Sequence, residues 1–154
     1  MMDLFDEILN EGLTLLKEDI IQASIDAGQK ALGHTYKNIN VYVSNNYGAI
    51  SAPIYFYTLI RGRGAGKIPA NFGDIIKKWA DYKGITFGSL TDLNRFAYFV
   101  GKKMREEGSR LYRDNSYLDI TDTPIQKFEE WLDNQIAGVA DAAIKESIFP
   151  VWNN

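Results

Sequence analysis

The sequence predicts an α+β fold: a long N-terminal helix, a β-hairpin or small antiparallel sheet, two middle helices and a long C-terminal helix packed on the sheet. Three observations carry this expectation. Apolar residues recur at helical spacing over both ends of the chain. One short segment near residue 40 alternates apolar with polar residues, and glycines and cap residues punctuate the helical patterns in between.

From Asp3 to about Ala31 the apolar positions are Phe5, Leu9, Leu13, Leu16, Ile20, Ala23 and Ala27, widened by Leu4 and Ile8, so a single amphipathic helix is expected. Asp3 is its expected cap and Gly28 or Gly33 its stop. Ile39, Val41 and Val43 alternate with polar neighbours, and Asn45-Asn46-Tyr47-Gly48 forms a turn cluster, which predicts a hairpin. The return strand is expected over Ala49–Ile60. Its two apolar faces, with Tyr55, Tyr57 and Leu59 opposite the side that holds Ile54, make Ile54, Tyr55, Tyr57 and Leu59 a candidate interface strand. Pro53 cannot donate to a ladder, which places that strand at an edge or gives it a bulge.

Asn71 precedes a short helix with Phe72, Ile75, Ile76, Trp79 and Tyr82 inward, closed by Gly84. A second begins at Thr91 or Asp92, turns Leu93, Phe96, Ala97, Val100 and Met104 inward, and ends at Gly108. Its outer face carries Arg95, Lys102, Lys103 and Arg105, cations that suit the late turns of a helix. Ser109–Ile120 reads as a loop with a short strand at Tyr117–Ile120. Thr123-Pro124-Ile125-Gln126 reads as a capping box for the last helix, which holds Phe128, Trp131, Leu132, Ile136, Val139 and Ile144 at helical spacing and is ended by Pro150. Trp79 and Trp131 are both expected in a core.

The 154 residues fit one domain, 1–154, long enough to bury roughly 70% of its unfolded surface without a disulfide or metal. Zero cysteines exclude thiol catalysis and thiolate metal sites, and a single histidine, His34, leaves no imidazole cluster. No cofactor or metal is expected. A net charge of −3, spread along the chain, argues against a surface that grips nucleic acid all over, while local basic patches remain. No apolar run reaches the length of a membrane span. Nine tyrosines are more than a simple helical domain needs, and amphipathic rings of this kind are favoured at interfaces.

Arg61-Gly62-Arg63-Gly64-Ala65-Gly66-Lys67 invites comparison with phosphate-binding loops. A Walker loop needs four residues between its glycines and a Ser or Thr after the lysine; Gly62 and Gly66 enclose three residues, and Ile68 follows Lys67. A dinucleotide fingerprint fails on its last glycine spacing, and Pro69 delays the helix. Adjacent carboxylates such as Glu106-Glu107 do not face each other on a helix, so no acid–base pair follows and an enzyme has no positive support.

In order and spacing, Gly62-Arg63, Gly66-Lys67-Ile68-Pro69, Ile75, Trp79 and Lys83-Gly84-Ile85, then Phe96-Ala97, Lys102-Lys103 and Glu106-Glu107-Gly108, resemble the tail-completion and minor tail proteins of tailed phages. The resemblance covers about Tyr55–Gly108. It departs over Ser109–Ile120, where many members have an extended Pro-Phe segment. It implies a structural virion protein of the neck or tail, assembled in the host cytoplasm as a homo-oligomeric ring, twelvefold beneath a portal or sixfold in long tails. The implied partners are the portal or adaptor ring, other tail proteins and the passing DNA, with no membrane. Arg61, Arg63, Lys67, Arg110 and Arg113 are then the candidate subunit or DNA contacts, subunit contact being favoured because arginine pairs well with a neighbour's carboxylates. Two alternatives stay open: a small nucleic-acid-binding module using the basic loop, and a nucleotide-dependent enzyme.

Overall fold

The structure, a computed structural model, describes residues 3–29 and 34–152, with residues 34, 35 and 147–152 as backbone alone. Its fold is α+β: among the described residues, seven helical segments and one two-stranded antiparallel sheet, with long helices at both ends. The chain divides into two compact units. Unit 1 comprises Met1–Ala23, Ile39–Ser51 and Ile120–Asn154; unit 2 comprises Ser24–Asn38 and Ala52–Asp119.

In unit 1, helix α1 (Leu4–Asp26) starts where Asp3 O accepts the Glu7 amide at 3.0 Å. Its buried side chains are Ile8, Leu13, Leu16 and Ile20, while Leu4 and Phe5 are exposed. The hairpin pairs β1 (Asn40–Ser44) with β2 (Tyr47–Ser51) in the register Val41↔Ile50 and Val43↔Gly48. Its loop is Asn45-Asn46 alone, both with positive φ, which is the two-residue turn whose twist matches paired strands. Two contacts hold it to α1. The Asn46 amide donates to Asp6 Oδ1 at 2.7 Å, and Gly48 lies so close that an added Cβ would sit 2.6 Å from Leu13 Cδ1. Helix α7 (Asp122–Trp152, 31 residues) reaches α1 through Trp131 and Phe128; a Cβ on Gly12 would sit 2.3 Å from Trp131 Cζ3 and 2.9 Å from Phe128 Cε2. A glycine at mid-helix costs about 1 kcal/mol against alanine, and here it makes room for an indole.

α1 ends in unit 2. Gly28, at φ 72°, donates to Ile25 O while Gln29 donates to Ser24 O, the paired bonds of a Schellman stop. Gly33, the other expected stop, lies outside the described residues, as does Ala31. Helix α2 (His34–Lys37) follows, so His34 opens a helical turn. Within α2, Tyr36 holds its hydroxyl buried with no hydrogen-bond partner among the described residues, and burial raises its pKa above the ordinary 10.0. The neutral phenol is favoured in the fold, so this contribution is intact below the unfolded pKa and fades as pH climbs through the raised one.

The expected return strand Ala49–Ile60 is corrected. β2 begins earlier, at Tyr47, and stops at Ser51; Ile54 and Tyr55 lie in a turn, and Tyr57 and Leu59 belong to helix α3 (Phe56–Arg61), so these four residues form no interface strand. Pro53 supplies the reason. It has no N–H for a ladder, its fixed φ suits a helical entry, and its carbonyl accepts the Phe56 amide at 2.8 Å. The β-branched and aromatic residues that suggested a strand are overridden by this local start.

Helices α4 (Phe72–Tyr82) and α5 (Leu90–Glu106) pack on each other through Ala80, Ala97 and Gly101, small residues that let the helices approach. Gly84 closes α4 at φ 68°, with Ile85 N donating to Ala80 O. α5 is capped by Ser89, whose Oγ accepts the Asp92 amide at 3.2 Å, so it starts at Leu90, one or two residues before the expected Thr91 or Asp92; Asn71 occupies the cap position of α4 without a side-chain bond. Helix α6 (Arg110–Arg113) follows, and Tyr117–Ile120 is no strand: Leu118 N makes a single bond to Ile60 O at 2.9 Å. α7 starts at Asp122, two residues before Pro124, and runs through Pro150 to Trp152, where a missing N–H near the end of a helix costs one bond.

The apolar arc of α4 is wider than α5 covers. Phe72, Ile76 and Ala80 lie on its covered side, whereas Ile75, Trp79 and Tyr82 form a neighbouring strip and Trp79 is 37% exposed. Trp79 is therefore a rim residue, contrary to its expected core role. Trp131, also expected in the core, is half-buried with its ring against Gly12. Trp79→Ala is expected to cost about 1–3 kcal/mol and Trp131→Ala more, at least about 3 kcal/mol, since it empties the space beside Gly12. Chemical denaturation of the two variants checks the order, and equal losses would mean that the α4 rim is buried in solution.

Candidate assembly surface

The glycine-rich loop is pinned. Ser109 N donates to Arg63 O at 2.8 Å, Arg63 N donates to Ser109 Oγ at 2.9 Å, and Gly66 N donates to Arg105 O at 3.0 Å. Gly108, at φ 83°, sits against the loop so closely that an added Cβ would meet Arg63 O at 2.6 Å. These bonds bring Arg61, Arg63 and Lys67 beside the segment of Arg110 and Arg113, two basic clusters separated in sequence. Their roles differ. The Arg61 guanidinium lies 5.6 Å from the ring centroid of Tyr117, and Arg63 is half-buried with its Nη2 donating to Lys67 O, closing the loop on itself. Arg113 pairs with Glu107 at 2.7 Å, and Arg110 with Asp114 at 3.8 Å. Lys67 is exposed and makes no side-chain bond among the described residues.

Arg63, a candidate contact residue, also has a structural task. Arg63→Ala is expected to cost about 1–2 kcal/mol through the lost loop closure, while Lys67→Gln should change stability by no more than about 0.5 kcal/mol. Paired thermal melts check this, and an unaltered Arg63→Ala variant would return all three cations to the surface class.

Charge is segregated in space although it is spread along the chain. Unit 1 contains twelve carboxylates against three Lys or Arg residues, a net −9; unit 2 contains fourteen cations against eight carboxylates, a net +6; together they make the chain's −3. The linear sequence hides this because the acidic unit is built from the two ends of the chain and the hairpin.

Within unit 2 an open cleft of about 430 Å³ runs between the start of α4 and α5, lined among others by Ile68, Phe72, Lys77, Tyr98, Lys102 and Arg105, with the Glu106 carboxylate at its rim. Lys77 is partly engaged by Asp74 at 3.6 Å, whereas Arg95, Lys102 and Arg105 make no ion pair among the described residues. Arg95, Tyr98, Lys102 and Arg105 fall at i, i+3, i+7 and i+10 and are all exposed. Sequence reasoning treated these cations as a solvated outer face; Tyr98 at helical spacing among them was the signal that could have marked a contact stripe. Tyr98 and Phe99 pair edge to face at 5.7 Å on the uncovered side of α5.

No cluster of three or more His, Asp or Glu side chains able to hold a metal occurs among the described residues, and no described helix is long and apolar enough to cross a membrane. What the arrangement offers is contact chemistry: a basic, aromatic unit and an acidic unit in one chain. No protein-family model, no curated protein and no solved structure matches the chain.

Proposed function

We propose that this protein is a structural virion protein of the phage neck or tail, one subunit of a homo-oligomeric ring, twelvefold or sixfold, that joins the portal or its adaptor to the tail around the DNA channel. The residues that carry the resemblance, about 55–108, occupy consecutive elements of one compact unit, from α3 through the pinned loop and α4 to the end of α5. The observation that carries the reading is the uncovered strip Ile75, Trp79 and Tyr82 on α4, together with exposed Tyr98 and Phe99 on α5. Large rings and aliphatic side chains left to water on two helices of one unit support contact with a protein partner. No residue has a catalytic part in this reading, and no cofactor takes part.

A second reading, a nucleic-acid-binding module, draws on the +6 charge of unit 2. Binding of that kind weakens steeply as salt rises. The −9 charge of unit 1, carried by the same chain, opposes it.

The decisive experiment is on particles. Mass spectrometry of purified virions should find the protein in several copies per particle, antibody should decorate the head–tail junction, and deletion of its coding sequence should leave filled heads without tails. Joined, infectious particles that lack the protein would overturn the reading.

A further inference from the structure

Helix α1 carries an acidic stripe that mirrors the basic one on α5. Glu7, Glu11, Leu15 and Glu18 are all exposed, lie on one side of α1, and the three carboxylates make no ion pair among the described residues. Read from its C-terminal end the stripe runs Glu18, Leu15, Glu11, Glu7, with steps of three, four and four residues. Read from its N-terminal end the α5 stripe runs Arg95, Tyr98, Lys102, Arg105, with steps of three, four and three. At about 1.5 Å per residue, the outer charges of the stripes are about 16 Å and 15 Å apart. In an antiparallel pairing Glu18 meets Arg95, Leu15 meets Tyr98, Glu11 meets Lys102 and Glu7 meets Arg105.

We propose that the α1 stripe of one copy docks antiparallel onto the α5 stripe of a second copy, along the mouth of the cleft formed with Ile68 and Phe72. This rests on the ring reading and names its subunit contact. The occupant is a second copy because both stripes are exposed within the chain, their charges are opposite in sign at matching intervals, and each places its one apolar side chain at the same step. The contact joins two different surfaces, so each copy keeps one of each kind free for another neighbour, and a chain of such contacts closes into a ring when its rotation permits. Opposite charges also reject the wrong pairings, α1 with α1 and α5 with α5. Glu106, which lines the cleft, and Asp92, one turn before Arg95, are carboxylates beside the α5 stripe that repel the incoming helix.

Sedimentation of the full chain tests this. Wild type should self-associate with rising concentration, and association should weaken between about 50 mM and about 500 mM salt as exposed charges are screened. E7K/E11K/E18K and R95E/K102E/R105E should each weaken association at least about tenfold, roughly 1.4 kcal/mol. An equimolar mixture of the two should recover it, because a lysine-bearing α1 then meets a glutamate-bearing α5. All six positions are exposed, and circular dichroism checks that the variants fold. If wild type assembles and both variants assemble equally well, the pairing is wrong while the ring stands. A chain that stays monomeric up to about 1 mM, weaker than any millimolar contact, overturns the pairing and leaves virion composition to decide the neck reading. If only the α5 variant has a phenotype, and that phenotype is loss of DNA retention, the stripe faces nucleic acid and the pairing is overturned.

Discussion

Replacing Gly62 by alanine is expected to destabilise unit 2 by about 3–5 kcal/mol, because two independent penalties coincide. Gly62 has φ 77° and ψ −180°, a conformation essentially reserved for glycine. An added Cβ would also lie 2.3 Å from Ser109 Oγ, 2.7 Å from Tyr112 N and 2.9 Å from Leu111 Cβ. Ser109 Oγ cannot simply turn away, since it accepts the Arg63 amide at 2.9 Å and caps α6. Relief therefore requires α6 to move off the loop. Gly66→Ala is the control: it has φ 143° with nothing within 4 Å of its Cβ, so it carries backbone strain without collision and should cost about 1 kcal/mol. Denaturant titrations of the two variants decide the matter; indistinguishable midpoints would mean that the loop is not held against α6 in solution.

The second large effect is expected at Ile120, which is 0% exposed at the entry to α7. Ile120→Ala removes three carbons from a fully enclosed position and should cost about 2–5 kcal/mol, and Ile120→Val about 0.5–1.5 kcal/mol. The gradient matters more than either figure. A void grows with each carbon removed, so a valine variant as damaged as the alanine one would point to shape sensitivity in place of lost burial. Equilibrium unfolding with an unchanged slope against denaturant checks that the native state alone is affected.

Much of the secondary structure was legible because its signals are local. Periodicity places α1, α4, α5 and α7, positive-φ glycines stop α1 and α4 at Gly28 and Gly84, and alternation finds β1. Where a local signal was ambiguous the reading failed. Ile54, Tyr55, Tyr57 and Leu59 are as apolar and aromatic as any strand, and only Pro53, three residues before Phe56, marks a helical start. Trp79 was assigned to a core since periodicity reports which side of a helix is apolar; how far a partner helix covers that side depends on the packing of α5, which no window of α4 contains.

The candidate surface was partly legible. Arg61, Arg63, Lys67, Arg110 and Arg113 could be named as cations near glycines, but that Ser109 and Gly66 stitch their two segments together is long-range information. Arg95, Lys102 and Arg105 are legible as one charged helix face, and such a face has an ordinary explanation in solvation until its neighbours are known. The opposition of −9 and +6 could not be read along the chain, since Asp3–Asp19 and Asp122–Glu146 gather in one unit only through folding.

That discontinuous build has a consequence for how the protein is made. Unit 1 draws on Met1–Ala23, Ile39–Ser51 and Ile120–Asn154, and its α1 side chains Leu13 and Leu16 share the unit with Trp131 of α7. Synthesis therefore supplies every residue of unit 2 before any residue of α7, and an interval separates the two. Through that interval the basic half can fold while the acidic half waits, its α1 lacking α7. Folding order thus follows chain order: the basic unit can form first, and α1 is joined by α7 only when Trp131 and Phe128 reach Gly12.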